Sequence, residues 1–227
     1  MTRPRLALFD LDHTLLPLDS DYEWGEFTIR IGWADRAEFG RRNQAFYDAY
    51  VAGTLDVHEY VRFATEAVCR RGAQAAADAH AQFMREVIAP AIRAQALALL
   101  KQHRDAGDEV LIITATNEFV TRPIAQALGV EQLLAVELER GGDGWYTGAI
   151  RGVPSMREGK VRRMEEWLAA RGLDWAGVES TFYSDSMNDV PLLEKVDHPV
   201  ATNPDPRLRA LAQERGWRIL DLFEEKK

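Results

Sequence analysis

Two rhythms of hydrophobic positions alternate along the chain. Residues 6–9, 110–113 and 181–183 are short, mostly apolar runs, as in strands buried on both faces of a parallel sheet. Between the first two runs, residues 18 to about 90 place apolar side chains at helical spacing, and no strand is predicted there. The segments are 20–32, 35–52, 56–71 and 73–88, punctuated by Gly53, Gly72 and Pro90, with Asp56 placed to cap the third. That third segment gathers Val57, Tyr60, Val61, Ala64, Ala67 and Val68 on one face.

From Ala91 the rhythms interleave. Residues 91–107 read as an amphipathic helix ended by Gly107, and a helix over about 118–128 ends at Gly129. Residues 134–150 alternate around a Gly-Gly-Asp-Gly turn, as a strand entering a hairpin does. A helix runs from Lys160 to about Arg171, and two short strands, 198–204 and 217–220, flank a helix at 205–216. Strand–helix alternation predicts an α/β fold, a Rossmann-like doubly wound parallel sheet with an inserted all-helical cap. The expected division is a core of residues 1–16 and 96–227 and a cap of residues 17–95.

The 227 residues suit one such domain with an insertion, and 46% hydrophobic content supplies a core rather than a disordered chain. With 28 basic and 36 acidic side chains the net charge is −8, which gives no general attraction to nucleic acid or anionic membrane. Cys69 is the single cysteine, so no intrachain disulfide forms, and its apolar helical neighbours make it a packing residue. No apolar run approaches the roughly 18 residues of a membrane span, and aspartates interrupt the N-terminal apolar stretch. The expectation is a cytoplasmic protein, with its oligomeric state open.

The acidic surplus changes the picture where it is concentrated. Asp10 and Asp12 follow the first apolar run with one residue between them. In extended chain both point the same way, at the carboxyl end of a central strand, where open α/β sheets bind ligands. Two carboxylates so placed repel, and a proton or a cation must intervene. Three more features fall at strand ends or helix starts: Thr114, Lys160, and Asp185-Ser186-Met187-Asn188-Asp189. Each alone has an ordinary explanation: a strand-end hydroxyl, a solvated lysine, a helix N-cap. His13 alternates away from the carboxylates and is read as structural.

The ordered set resembles the haloacid dehalogenase superfamily, and within it the phosphoserine-phosphatase-like enzymes with a helical cap. The resemblance covers residues 5–16 and 95–221. It implies a phosphomonoester hydrolase using Mg²⁺ and an aspartyl-phosphate intermediate on a small phosphorylated metabolite. Under it, Asp10 is the nucleophile and Asp12 the general acid and base, whose backbone carbonyl also binds metal. Asp10 and Asp185 are further metal ligands, and Asp189 lies in the outer shell. Thr114, the Ala115 amide, Lys160 and Asn188 bind phosphate. Ser184 and Ser186 stand where many members carry glycine, and Thr116-Asn117 replaces the glycine pair of phosphoserine phosphatases. The S-D-S-x-N-D and T-A-T-N runs look more like a bacterial histidinol-phosphatase-like branch.

Specificity is expected from the cap. Asp19, Asp21 and Glu23, with Trp24 beside them, occupy the stretch where phosphoserine phosphatases place an acid to read the substrate's amine. This points to an amino-alcohol phosphate such as histidinol phosphate or phosphoserine, although an acidic helix start also serves the helix dipole. Within the fold, Asp12 argues against a dehalogenase, and the absence of lysine from residues 17–95 argues against a phosphonatase. A phosphomutase and a catalytically idle phosphate-binding module stay open as alternatives.

Overall fold

The computed structural model describes residues 3–51 and 54–223. The predicted punctuation at Gly53 and the charged tail, 224–227, lie outside them. In chain order the elements begin with β1 (Arg5–Phe9), α1 (Ser20–Arg30), α2 (Arg36–Val51), α3 (Val57–Arg71) and α4 (Ala73–Phe83). Next come α5 (Ala89–Ala91), α6 (Ala94–Asp105), β2 (Glu109–Asn117), α7 (Glu118–Ala127) and β3 (Gln132–Val136). The remainder are β4 (Leu138–Arg140), β5 (Tyr146–Ile150), α8 (Glu158–Ala169), β6 (Glu179–Ser184), α9 (Val190–Leu193), β7 (His198–Thr202), α10 (Pro206–Arg215) and β8 (Arg218–Leu220).

Six strands form one parallel sheet in the order β3-β2-β1-β6-β7-β8. The chain leaves β1 toward β2 on one side and returns to β6 on the other. This places the topological switch, and the usual ligand crevice, at the carboxyl end of β1. Alternation along the strands separates two cores. Leu6, Leu8, Leu111, Ile113 and Phe182 pack beneath α8, α9 and α10, and Ala7, Phe9, Ile112 and Tyr183 face α6 and α7. β4 and β5 form an antiparallel hairpin against α3, where Gly148, at positive φ, lets Cys69 and Thr65 approach.

Three features depart from the simple pattern. The helix predicted over 73–88 becomes a π-helical turn at Met84–Ile88 and runs on to Ala91, with the Ala89 amide reaching Met84 O. Pro90 has no N–H to donate four residues back, and the widened turn accommodates its ring. The strand predicted at 110–113 continues to Asn117, with a register shift between Ile113 and Asn117. That irregularity carries Thr114, Ala115 and Thr116. The inserted helices also share the sheet's core: Trp24 and Phe27 of α1 and Ala76, Ala79 and Phe83 of α4 belong to the same cluster as Phe9 and Ile112. α2 and α3 stack their own aromatic rings, Phe39 and Phe46 on Phe63, at 4.7 and 5.2 Å between centroids.

A tight turn sets the start of α8. The Gly159 amide donates to Met156 O, and a Cβ at Gly159 would lie 2.0 Å from Pro154 O. A Gly159→Ala change therefore forces the backbone apart, whereas Gly40, exposed in α2 with nothing near its missing Cβ, gains helix propensity. In urea melts Gly159→Ala should lose about 2 kcal/mol or more, and Gly40→Ala should gain roughly 0.5–1 kcal/mol. Equal responses would contradict the close approach.

Candidate active site

The carboxyl ends of β1, β2 and β6 open into a cavity of about 360 Å³, roofed by α1, α2 and α3. Asp10, Asp12, Thr114, Ala115, Lys160, Asp185, Asn188 and Asp189 all line it, as do Asp19 and Asp21 from α1 and its cap. Glu23 does not line it, and Trp24 is buried among Phe27, His80, Phe83 and Phe119. The helical period turns both away from a cavity that Asp21, Tyr22 and Gly25 face. His13 lies on the rim at positive φ, and its backbone N–H donates to Leu18 O.

Lys160 is the hub. It is 2% exposed, and its Nζ donates to Asp10 Oδ1 at 2.6 Å and Asp189 Oδ2 at 2.7 Å. Ser184 Oγ donates to the same Asp189 oxygen at 2.7 Å. Burial alone would lower the lysine's pKa, but the two carboxylates outweigh it and hold the ammonium charged. Burial pushes Asp10 up to about 6 despite Lys160, with Asp189 adding to the rise. Burial, then Asp10 and Asp189, pushes Asp185 up to about 8. Thr14 Oγ1 lies 3.1 Å from Asp185 Oδ1 and accepts the Asp185 amide at 3.1 Å.

Asp12 is held separately. Its Oδ1 accepts the Ser20 amide at 2.7 Å and its Oδ2 accepts the Thr116 hydroxyl at 2.9 Å. Burial, with Asp19 and Asp10 nearby, holds its carboxyl well above the usual carboxylate range. Asp19 caps α1, with Oδ1 accepting the Asp21 and Tyr22 amides at 2.9 Å. Asp21 accepts from the Tyr60 hydroxyl and, at 3.4 Å, from Asn117 Nδ2. Ser155 Oγ donates to Thr114 O at 2.6 Å and ties the turn before α8 to β2.

The motifs gave no site role to Arg157 or Ser155, and Thr14 and Thr116 stood in the first motif and the T-A-T-N run without one. Arg157 lines the cavity at φ 51 and ψ −123, an unusual backbone for a non-glycine residue, and its Nε donates to Asn188 Oδ1 at 3.2 Å. Its position three residues before Lys160 was the one available signal.

Six aspartates and two cationic side chains face one cavity: Asp10, Asp12, Asp19, Asp21, Asp185 and Asp189 against Arg157 and Lys160. Among the described residues no three His, Cys, Asp or Glu side chains converge tightly enough to hold a metal by themselves. Asp12 spends both oxygens on Ser20 and Thr116, and Asp189 spends one on Lys160 and Ser184. The carboxylates left to meet a cation are those of Asp10 and Asp185, both hard oxygen donors lining the cavity. That set suits a hard divalent ion that keeps several waters.

The model of the haloacid dehalogenase-like hydrolases matches residues 7–194. The chain belongs to that family. It is therefore a hydrolase, and its relatives include proteins named histidinol-phosphatase and phosphoserine phosphatase. It is 42% identical to a histidinol-phosphatase of Neisseria meningitidis, over 95% of this chain and 98% of that one. A Bordetella pertussis protein of unknown function has the same fold at a TM-score of 0.92, with 51% identity over 98% of this chain and 100% of that one. A phosphoserine phosphatase solved as an analogue of its phospho-aspartyl intermediate shares the fold, at TM-score 0.65 and 17% identity, over 96% and 93% of the two chains. No helix among the described residues is long and apolar enough to cross a membrane.

Burial and the neighbouring Asp19 push Asp21 up from 3.8 to about 6. Between those values the folded protein binds more protons than the unfolded chain, so this residue's contribution to stability falls as pH rises through the window. Asp21→Asn removes the ionisation while keeping an acceptor for Tyr60. The variant should gain about 2 kcal/mol over the native chain in denaturant melts at pH 8 and almost nothing at pH 4. A gain independent of pH would contradict this assignment.

Proposed function

We propose that this hydrolase cleaves a small phosphomonoester through an aspartyl-phosphate on Asp10, with Mg²⁺ as its cation. The observation that carries the reading is the buried Lys160 held against Asp10 and Asp189 at the mouth of the sheet. An ammonium has three N–H donors, and two are engaged by the carboxylates, which leaves one for a phosphoryl oxygen. Thr114 and the Ala115 amide, on the irregular stretch of β2, supply further donors at the same cavity. Arg157 and Asn188 extend that polar rim.

A phosphate dianion entering a cavity lined by six aspartates and two cationic side chains meets repulsion from each aspartate that is ionised. At about 4 Å and an effective dielectric near 20, each unit pair costs roughly 4 kcal/mol. Asp10, Asp185 and the Asp12 carbonyl would hold Mg²⁺, which when bound would offset that charge, with Asp189 steadying the surroundings. Asp10 then meets phosphorus as a nucleophile. Asp12 gives a proton to the departing alkoxide and takes one from the water that ends the cycle.

The alcohol is read by the helices inserted after β1, in our reading a cap spanning residues 17–95. Asp19 and Asp21 line the cavity, and a substrate ammonium would meet their carboxylate oxygens. Phe39, Phe46, Tyr47, Tyr60 and Phe63 line the same cavity with aromatic surface. An amino-alcohol phosphate with a flat side chain suits that pairing better than phosphoserine does. The likeness to a histidinol-phosphatase over nearly both full chains favours histidinol phosphate.

The test is a panel of phosphorylated metabolites with Mg²⁺, with and without chelator. Turnover should vanish with chelator and return with Mg²⁺, and Asp10→Asn should lower kcat/KM by about 1,000-fold or more. Asp19→Asn should erode the preference for amine-bearing over amine-free esters by about tenfold. Retained rate in Asp10→Asn rejects the nucleophile, and an unchanged preference rejects the amine reading.

A further inference from the structure

Asp12 bridges two parts of the fold through two chemically different partners. Its Oδ1 accepts the Ser20 amide at the start of α1, at 2.7 Å. Its Oδ2 accepts the Thr116 hydroxyl from β2, at 2.9 Å. An amide N–H can only donate, so Oδ1 is fixed as an acceptor. A hydroxyl both donates and accepts, so only Oδ2 has a neighbour that suits the carboxyl group with or without its proton.

Thr116 is well placed for that duty. It is 8% exposed and lies within the irregular stretch of β2 between Ile113 and Asn117. Its own amide donates to Thr114 Oγ1 at 3.2 Å, which fixes its backbone beside the residues that face the cavity. A β-branched side chain on extended backbone has few rotamers, so the hydroxyl stays near Asp12 at little entropic cost. A threonine here is also a departure from the glycine pair of phosphoserine phosphatases, which offers no side-chain hydroxyl at this place.

We propose that Thr116 is a positioning residue for proton transfer by Asp12, keeping the mobile proton on Oδ2. This rests on the reading of Asp12 as general acid and base. In the first half-reaction an Asp10 oxygen bonds to phosphorus as the ester P–O bond breaks. The proton on Oδ2 passes to the departing alkoxide, and Thr116 turns its hydrogen onto the oxygen left bare. In the second half, Oδ2 takes a proton from the attacking water as the acyl-phosphate bond breaks. Asp10 and the protonated Asp12 are restored, and inorganic phosphate leaves.

The test compares esters that need a proton with one that does not. An alkyl phosphate releases a strongly basic alkoxide, whereas p-nitrophenyl phosphate releases a stable phenolate. The readout is kcat/KM, which reports the first P–O cleavage without the later hydrolysis of the phospho-enzyme. Thr116→Val removes the hydroxyl and keeps the shape, and Thr116→Ala removes it without placing a methyl against Asp12. Both should lower kcat/KM for the alkyl ester by about 10–100-fold, at least about ten times the loss on the p-nitrophenyl ester. Thr116→Ser should recover the alkyl activity to within about threefold of the native chain. Equal losses on both esters, an undiminished alkyl rate, or failure of serine to rescue would overturn the proposal. Asp12→Asn separates the two layers. If it too shows no ester selectivity, the acid–base reading of Asp12 fails. If it is selective and the Thr116 variants are not, only the role of Thr116 fails.

Discussion

A lysine ammonium buried to 2% exposure cannot stay charged without counter-charges, and Lys160 finds two of them, on Asp10 and Asp189. That requirement locks three distant parts of the chain together: the end of β1, the first turn of α8, and the loop that follows β6. Removing the lysine would leave two buried carboxylates facing each other and Asp185, at a cost of about 3–5 kcal/mol for the broken pair. The same pairing keeps the chemistry local. Asp10 is paired with a cation that is part of the fold, while Asp12 lies outside that pair, held by Ser20 and Thr116.

The cavity gathers negative charge where the proposed substrate is itself negative. The carboxylates fall into four groups according to what holds them. Asp10 and Asp185 present hard oxygens. Asp189 is spent on Lys160 and Ser184. Asp12 is spent on Ser20 and Thr116. Asp19, which caps α1, and Asp21 within it line the same cavity as the aromatic rings of α2 and α3. α1 touches both the shared core and the cavity, so the inserted helices that line the cavity are joined to the sheet.

Much of this was legible in the sequence because it follows from short-range rules. An apolar run ending in Asp10-x-Asp12 signals a buried strand delivering two carboxylates to a ligand crevice, and the later strand–helix alternation implies a parallel sheet. What was not legible depends on long-range packing. Nothing local marks Lys160 as buried, because its burial depends on Asp10 lying 150 residues away in the chain. The irregular stretch of β2 looked like a strand end because Thr114 and Thr116 break the apolar run while their backbone stays extended. Trp24 sits beside acidic positions in sequence but a helical step away from them in space. The strained backbone at Arg157 has no composition signal, since the conformation is one glycine would ordinarily supply.

The central claim is that phosphorus passes through the carboxylate of Asp10. The most direct measurement is an acid quench during steady turnover of an amine-bearing phosphate ester, followed by borohydride reduction and peptide mass spectrometry. The account predicts an acid-stable, hydroxylamine-sensitive phosphoryl group, with homoserine recovered at position 10 after reduction. Homoserine recovered at another aspartate instead of position 10, or no covalent phospho-enzyme under conditions of full turnover, would contradict it.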